Sequence, residues 1–160
     1  MTINTKQVTG RRELHFESLD DVLADAERLA AGEARMLGNW SLGQILSHLA
    51  VAMNSAIDGV DFKVPFFIRL IAPLMKKRFV RGPIKPGFQM PESMRPIFMP
   101  PDEVNTEDGL LALREAVARL KSDPTRDRNV FLGNLTREES DSMQMRHAEL
   151  HLSFATSIEA

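Results

Sequence analysis

Two of the chain's four histidines lie four residues apart near the C-terminus, in the segment MQMRHAELHLSF. Because an α-helix turns once about every 3.6 residues, the rings of His147 and His151 would lie one above the other on a helix. A helical wheel places both on a face with apolar residues, whereas Arg146, Glu149 and Leu152 fall outside that face. Two imidazoles at this spacing are a common pair of ligands for one metal ion.

A second interpretation is that both rings pack in a core, each hydrogen-bonded to a carbonyl or a water. The HExxH motif of metalloproteases is absent, because Ala148 stands where that motif has its glutamate. Taken alone, the pair favours packing over ligation and leaves both interpretations open.

A third histidine, His48, lies in the segment SLGQILSHLAVAM, at the flank of an apolar stripe on another predicted helix. At about 1.5 Å per residue, it is about 10 Å from the start of that helix, and His151 is about 13 Å from the chain end. The histidines would lie at similar depth if the two helices are antiparallel with level ends. Three histidine ligands leave an open coordination position, which is typical of catalytic metal sites. The alternative for His48 is a half-exposed side chain, and His15 is interpreted as a surface or capping residue.

Four stretches carry apolar residues at three- and four-residue spacing, which predicts four amphipathic helices. Each begins at a residue typical of a helix N-cap, and the last begins with a TREE capping box. The predicted helices run from Ser18 to near Leu37, from Ser41 to Asp58, from Asn105 or Thr106 to Pro124, and from Thr136 to the chain end.

The connection between the second and third predicted helices, residues 60–104, holds eight of the nine prolines. Proline lacks a backbone N–H, so this density argues against a long regular helix or a central strand there. Connections of this length are uncommon and often functional. The segment RELHF alternates too briefly to predict a sheet. We therefore expect an all-α fold, a four-helix bundle with a long proline-rich crossover, forming a single domain over residues 1–160.

The composition is 43% hydrophobic and 26% charged with a net charge of −2, as in ordinary globular proteins. The absence of cysteine excludes disulfides, thiolate ligands and a cysteine nucleophile. The opening MTINTKQVTGRRELHF has no apolar stretch that would make a signal peptide. The longest apolar run, VPFFIRLIAPLM, is interrupted by Arg69 and Pro73 and is too short to span a bilayer. We expect a soluble cytoplasmic protein.

The proline-rich connection is strongly basic, with seven basic residues and no acid from Lys63 to Lys85. One interpretation is a solvated face, and another is an electropositive lid for an anionic small-molecule substrate. A third is docking on a partner or a membrane surface, because Phe66, Phe67 and Ile68 accompany the charge. We favour the first two over membrane contact. No pattern typical of nucleic-acid binding is present. The sequence leaves open whether the protein forms a homodimer.

The motifs that surround the histidines resemble those of a known group. NWSLGQILSHLA and LTREESDSMQMRHAELHLSF are similar to a bacterial branch of the DinB/YfiT-like superfamily, with its W-S-x-G-x-x-x-x-H-L and H-A-x-x-H-L-x-F segments. FLGNLTREE and LHFESLDDVLADAERL extend the similarity over most of the chain except 60–104. The resemblance implies a four-helix bundle that binds a divalent metal such as nickel or zinc through His48, His147 and His151. Members often have another histidine where this chain has Leu150.

The resemblance also implies a reaction class. Characterised relatives include transferases and isomerases that use bacillithiol, mycothiol or glutathione, so we expect a metal-dependent enzyme that transfers a small thiol to an electrophile. Without cysteine in the chain, the sulfur nucleophile must come from outside. A water at the open position would instead support hydrolysis. The alternative is a non-enzymatic bundle with structural histidines that binds a partner or membrane through its basic segment. Glu149 is expected to point away from the site, and Gln144, Ser47 and Asn54 are candidate neighbours of the ligands.

Overall fold

The computed structural model describes residues 2–61, 66–87 and 90–157, and 57% of the chain is helical. The prediction of a helical protein is confirmed. Within the described residues there are six α-helices and two short strands, so the four expected helices are accompanied by two further helices and a small sheet. In chain order they are α1 Leu19–Ala31, β1 Ala34–Met36, α2 Leu42–Asp58, α3 Phe66–Arg81, α4 Arg95–Phe98, α5 Thr106–Ser122, α6 Arg137–Leu152 and β2 Ala155–Ser157.

The four long predicted helices begin where their N-cap residues indicate. In each helix, the side chain of the N-cap residue accepts a hydrogen bond from the backbone N–H of the third helical residue, and these N-cap residues are Ser18, Ser41, Asn105 and Thr136. In α1, α2 and α6 the side chain of the third helical residue also accepts a hydrogen bond from the N-cap N–H, which completes a capping box.

Two predicted helix ends are wrong, because a small sheet replaces them. α1 ends at Ala31 instead of near Leu37, and α6 ends at Leu152 instead of continuing to the chain end. The residues that follow each helix, β1 and β2, pair antiparallel, with Arg35 opposite Thr156. This pairing joins segments far apart in sequence, so local periodicity carried no sign of it.

The prediction that prolines exclude a long helix from residues 60–104 is also wrong, since α3 spans 16 residues. Among the eight prolines of this segment, only Pro73 lies inside that helix. A single interior proline removes one backbone hydrogen bond, and the helix continues on either side. Pro96 lies in the first turn of α4, a position where the missing N–H costs nothing. Lys63 and Pro65 lie outside the described residues.

The four long helices α1, α2, α5 and α6 enclose the hydrophobic core. α2 packs most extensively on α5. α1 packs on α5 and α6, α6 also packs on α2, and α3 packs on α6. Gly43 and Gly109 permit the close approach of α2 and α5. A Cβ atom on Gly109 would lie only 2.5 Å from the carbonyl oxygen of Gly43. The fully buried side chains of the core include Leu29, Leu46, Leu49, Met53, Leu113, Leu120 and Leu152.

The segment that precedes α1 forms hydrogen bonds with the C-terminal end of α6. Arg12 donates to the carbonyls of Leu152 and Ala155 and forms an ion pair with Asp25 of α1. Arg11 donates to the carbonyl of Leu150. The carbonyls of Leu150 and Leu152 lie in the last turn of α6, where helical N–H partners are missing, so these guanidinium groups supply donors there. The helix that carries two of the histidines is thereby held against α1.

No helix in the described ranges is both long and apolar enough to cross a membrane.

Candidate metal centre

Two helices bring the three predicted ligands together. His48 lies on α2, and His147 and His151 lie one turn apart on α6. Nε2 of His147 is 3.2 Å from Nε2 of His48 and 3.0 Å from Nε2 of His151. The candidate ligand atoms of all three residues lie within 4.8 Å of one another, so the cluster could hold a metal ion. Within the parts of the chain that the structure describes, it is the only such group of three or more.

A backbone carbonyl of the proline-rich connection determines which ring nitrogen of His48 carries the proton. Nδ1 of His48 is 2.7 Å from the carbonyl oxygen of Phe98 at the end of α4. A carbonyl only accepts, so Nδ1 carries the proton and donates it, and in a neutral ring Nε2 then has a free lone pair. Metal-binding histidines are commonly oriented in this way, with the second ring nitrogen bonded to a carbonyl.

All three imidazoles are held in the neutral form. Burial lowers the pKa of His48, and the hydrogen bond to Phe98 opposes this only in part. Burial, with the neighbouring His48, lowers the pKa of His147 to about 3. Burial and the neighbouring rings also lower the pKa of His151 well below its usual value. Neutral imidazoles are the form that binds metal.

No placement of protons on the three rings turns every nitrogen–nitrogen contact into a hydrogen bond. Nε2 of His147 touches the Nε2 atoms of both other histidines, and Nε2 of His48 has no proton. If His147 carries a proton on Nε2, it can donate to one neighbour and cannot accept from the other. If it carries none, two lone pairs face each other across the contact with His48. One cation at the meeting point would bind all three lone pairs, and two nitrogens bound to one tetrahedral zinc are about 3.3 Å apart. The residues present therefore fit a metal ion.

Trp40 covers one side of the cluster. Its ring stacks on His151 with centroids 5.3 Å apart and planes at 13°, and it lies 4.9 Å from the ring of His48. It is the only tryptophan of the chain, and it immediately precedes the N-cap of α2. Trp40 belongs to the motif around His48, but its spacing in the sequence gave no sign of this contact. His147 and His151 remain only half-buried, so the site keeps an open side.

Gln144 provides a buried acceptor one turn from the cluster. It precedes His147 by one turn on α6 and is 2% exposed. Its Nε2 donates to the carbonyl of Ala52, one turn after His48, at 3.4 Å, and no hydrogen-bond partner for its buried Oε1 exists among the described groups. Exchanging the two amide atoms would put two oxygens together, so this orientation is the favourable one. A buried acceptor without a protein partner is typical of a site that a water or ligand completes.

Replacing Gln144 by leucine is expected to raise the free energy of unfolding of the metal-free protein by about 1 kcal/mol. Leucine fills similar space and removes an acceptor that is buried without a partner. Urea denaturation measures the change, with Gln7→Leu as the exposed control that should stay within about 0.5 kcal/mol of the wild type. A clear loss of stability in Gln144→Leu would mean that Oε1 has a partner in the metal-free state.

Arg146, Glu149 and Leu152, which were expected to fall outside the face of the histidines, are nevertheless buried. Arg146 forms an ion pair with Glu149 at 2.9 Å, and Glu149 also accepts a hydrogen bond from the backbone N–H of Phe16 at 2.6 Å. Phe16 lies in the segment before α1, which covers a second side of α6. Glu149 is thus committed to Arg146 and Phe16 and is not a free base for the metal site.

Asn54, His15 and Leu150 also have partners outside the cluster. Asn54 accepts a hydrogen bond from Arg119, away from the histidines. The side chain of His15 is 70% exposed and its Nδ1 lies 2.7 Å from Arg146, in line with its interpretation as a surface residue. Leu150 contributes its backbone carbonyl to Arg11.

No curated protein and no solved structure is significantly similar to this chain. One family model matches residues 8–157, which include all three histidines, Trp40 and Gln144. The family is described as a protein of unknown function, DUF1569. Because the match spans nearly the whole sequence, the chain belongs to the DUF1569 family.

Proposed function

We propose that His48, His147 and His151 hold one divalent metal ion through their Nε2 atoms. The observation that carries this proposal is the convergence of three neutral imidazoles whose mutual contacts protons cannot all satisfy. Structural histidines without an ion, the alternative, would leave at least one of these nitrogen–nitrogen contacts without a proton.

The same proposal extends to an enzyme of the DinB/YfiT type, in which α1, α2, α5 and α6 are the four helices of the bundle. Nickel or zinc suits a site of imidazole ligands, and a small thiol such as glutathione or bacillithiol would be the cosubstrate. Supporting this are the resemblance of the segments around the ligands and the absence of any cysteine in the chain. When bound there, a divalent ion with an open position lowers the pKa of a coordinating thiol or water and so supplies a nucleophile.

The chain's own residues orient and shield the site. The carbonyl of Phe98 keeps His48 in the tautomer with a free Nε2. The indole of Trp40 lies against His48 and His151 and excludes water from that side. Oε1 of Gln144, buried without a protein partner one turn before His147, would accept a hydrogen bond from a water or ligand that reaches it. Catalytic acids or bases are not assigned, because Glu149 is already paired.

Elemental analysis of protein purified without a histidine tag tests the metal proposal. We expect about one equivalent of nickel or zinc per chain, removable by a chelator. Adding Ni²⁺ to the stripped protein should quench the emission of Trp40, which is the only indole in a chain that also lacks tyrosine. Protein that stays metal-free in the presence of both ions would contradict the proposal.

The thiol step has a separate test. Glutathione and bacillithiol are each offered with a generic electrophile to the loaded and the stripped protein. Consumption of thiol that requires the metal supports the transferase. If the metal-loaded protein consumes neither thiol, the thiol reaction is contradicted, whereas the proposal of a metal site is unaffected.

A further inference from the structure

One face of α3 exposes leucines and cations in a single stripe. Leu70, Leu74, Lys77, Arg78 and Arg81 are all exposed, and at 100° per residue they fall within an arc of about 100°. Leu74 is 82% exposed and Leu70 is 69% exposed, the highest values for large apolar side chains in the described part of the chain. The leucines occupy the first half of the stripe and the cations the second half.

The opposite face of α3 is held against α6. Lys76 forms an ion pair with Glu139 at 2.7 Å, and Val80 is buried. The hydroxyl of Ser142 on α6 donates to the backbone carbonyl of Val80 at 2.7 Å. These contacts fix the rotation of the helix, so the stripe points outward.

The cations of the stripe form no close ion pairs within the described residues, although Arg81 lowers the pKa of Glu139 from a greater distance. Lys77, Arg78 and Arg81 form no ion pair with any carboxylate of the described residues, unlike Lys76. The sequence from Lys63 to Lys85 also contains no acid. The outer face of α3 is therefore positive as well as partly apolar.

We propose that this stripe docks the protein on an anionic lipid surface. The leucines would reach below the headgroups while Lys77, Arg78 and Arg81 contact lipid phosphates, as in helices that lie in the plane of a membrane interface. A row on the outer side of a helix about 24 Å long can touch a flat surface along its length. A second copy of the chain would bring like charges together, and so it fits the stripe poorly. This inference is independent of the metal site.

Vesicle sedimentation tests the proposal with the full chain. Wild-type protein should bind phosphatidylcholine vesicles that contain phosphatidylglycerol and leave pure phosphatidylcholine vesicles unbound, with binding that weakens as salt rises. Each cation near the surface contributes about fivefold to binding, so Lys77→Gln with Arg78→Gln should weaken it about 25-fold. Leu70→Gln with Leu74→Gln should also weaken it.

Two variants elsewhere serve as matched controls. Leu111 of α5 is 54% exposed, and Arg128 is exposed without an ion pair to the described carboxylates. Leu111→Gln and Arg128→Gln should bind vesicles as the wild type does, and circular dichroism should show that every variant is folded.

Three results would overturn the proposal. The wild type could fail to distinguish the two kinds of vesicle, or the controls could lose as much binding as the α3 variants. In the third case, the wild type would bind neither kind of vesicle and would bind poly-glutamate, which would identify an acidic polypeptide as the partner.

Discussion

Replacing His147 by alanine is expected to lower the affinity for Ni²⁺ or Zn²⁺ by at least about 100-fold, more than the 10–100-fold typical of changes that merely disturb a ligand's orientation. His147 is the central member of the cluster, because its Nε2 lies within 3.2 Å of the Nε2 atoms of both His48 and His151. Its removal leaves two ligands on different helices. Quenching of Trp40 by Ni²⁺, in competition with a chelator of known affinity, measures the loss.

His15→Ala is the matched control for this loss. His15 is exposed and contacts Arg146 outside the cluster, so its variant should bind metal as the wild type does. A second variant, His147→Leu, separates binding from folding, because an apolar side chain fills the space and removes the unsatisfied nitrogen contacts. It should keep wild-type helix content and still fail to bind. A folded His147 variant with wild-type affinity would show that the cluster is not the metal site.

Replacing Glu149 by alanine is expected to destabilise the protein by about 3–5 kcal/mol, the cost typical of removing one partner from a buried ion pair. The side chains of Arg146 and Glu149 are 6% and 8% exposed, so the guanidinium would be left buried without its carboxylate. The backbone N–H of Phe16 would lose its acceptor at the same time. Urea denaturation should be measured on the metal-free protein, since a bound ion would add its own stabilisation.

The control for this change is Glu115→Ala on α5, an exposed glutamate that should change stability by no more than about 0.5 kcal/mol. A double variant, Arg146→Met with Glu149→Leu, should recover much of the loss, because it removes both charges together. If Glu149→Ala costs no more than Glu115→Ala, the ion pair does not hold the segment before α1 against α6.

Both halves of the proline-rich connection contribute to the surroundings of the histidine cluster. α3 packs on the helix that carries His147 and His151, and the carbonyl of Phe98 at the end of α4 orients His48. Gln44 donates to the carbonyls of Pro101 and Asp102 and holds the end of the connection on α2. The connection thus helps to position the histidines. Its proline content alone did not indicate this role.

Local interactions made several features predictable from the sequence alone. The starts of α1, α2, α5 and α6 follow from side chains that hydrogen-bond to backbone groups within three residues, so Ser18 and Thr136 mark them directly. The placement of His147 and His151 on one face follows from helix geometry. The proximity of His48 required an assumption about the helix ends, and the motif resemblance supported it.

Only the tertiary structure decided the features that depend on distant partners. Glu149 and Phe16 are 133 residues apart, and no helical wheel shows that a second segment covers that side of α6. The pairing of Arg35 with Thr156 and the carbonyl of Phe98 on His48 likewise join remote residues. Spacing in the sequence determined which side chains could act together on a helix. Packing determined which of them are already paired, and so it left the three imidazoles free to bind an ion and Glu149 committed to Arg146.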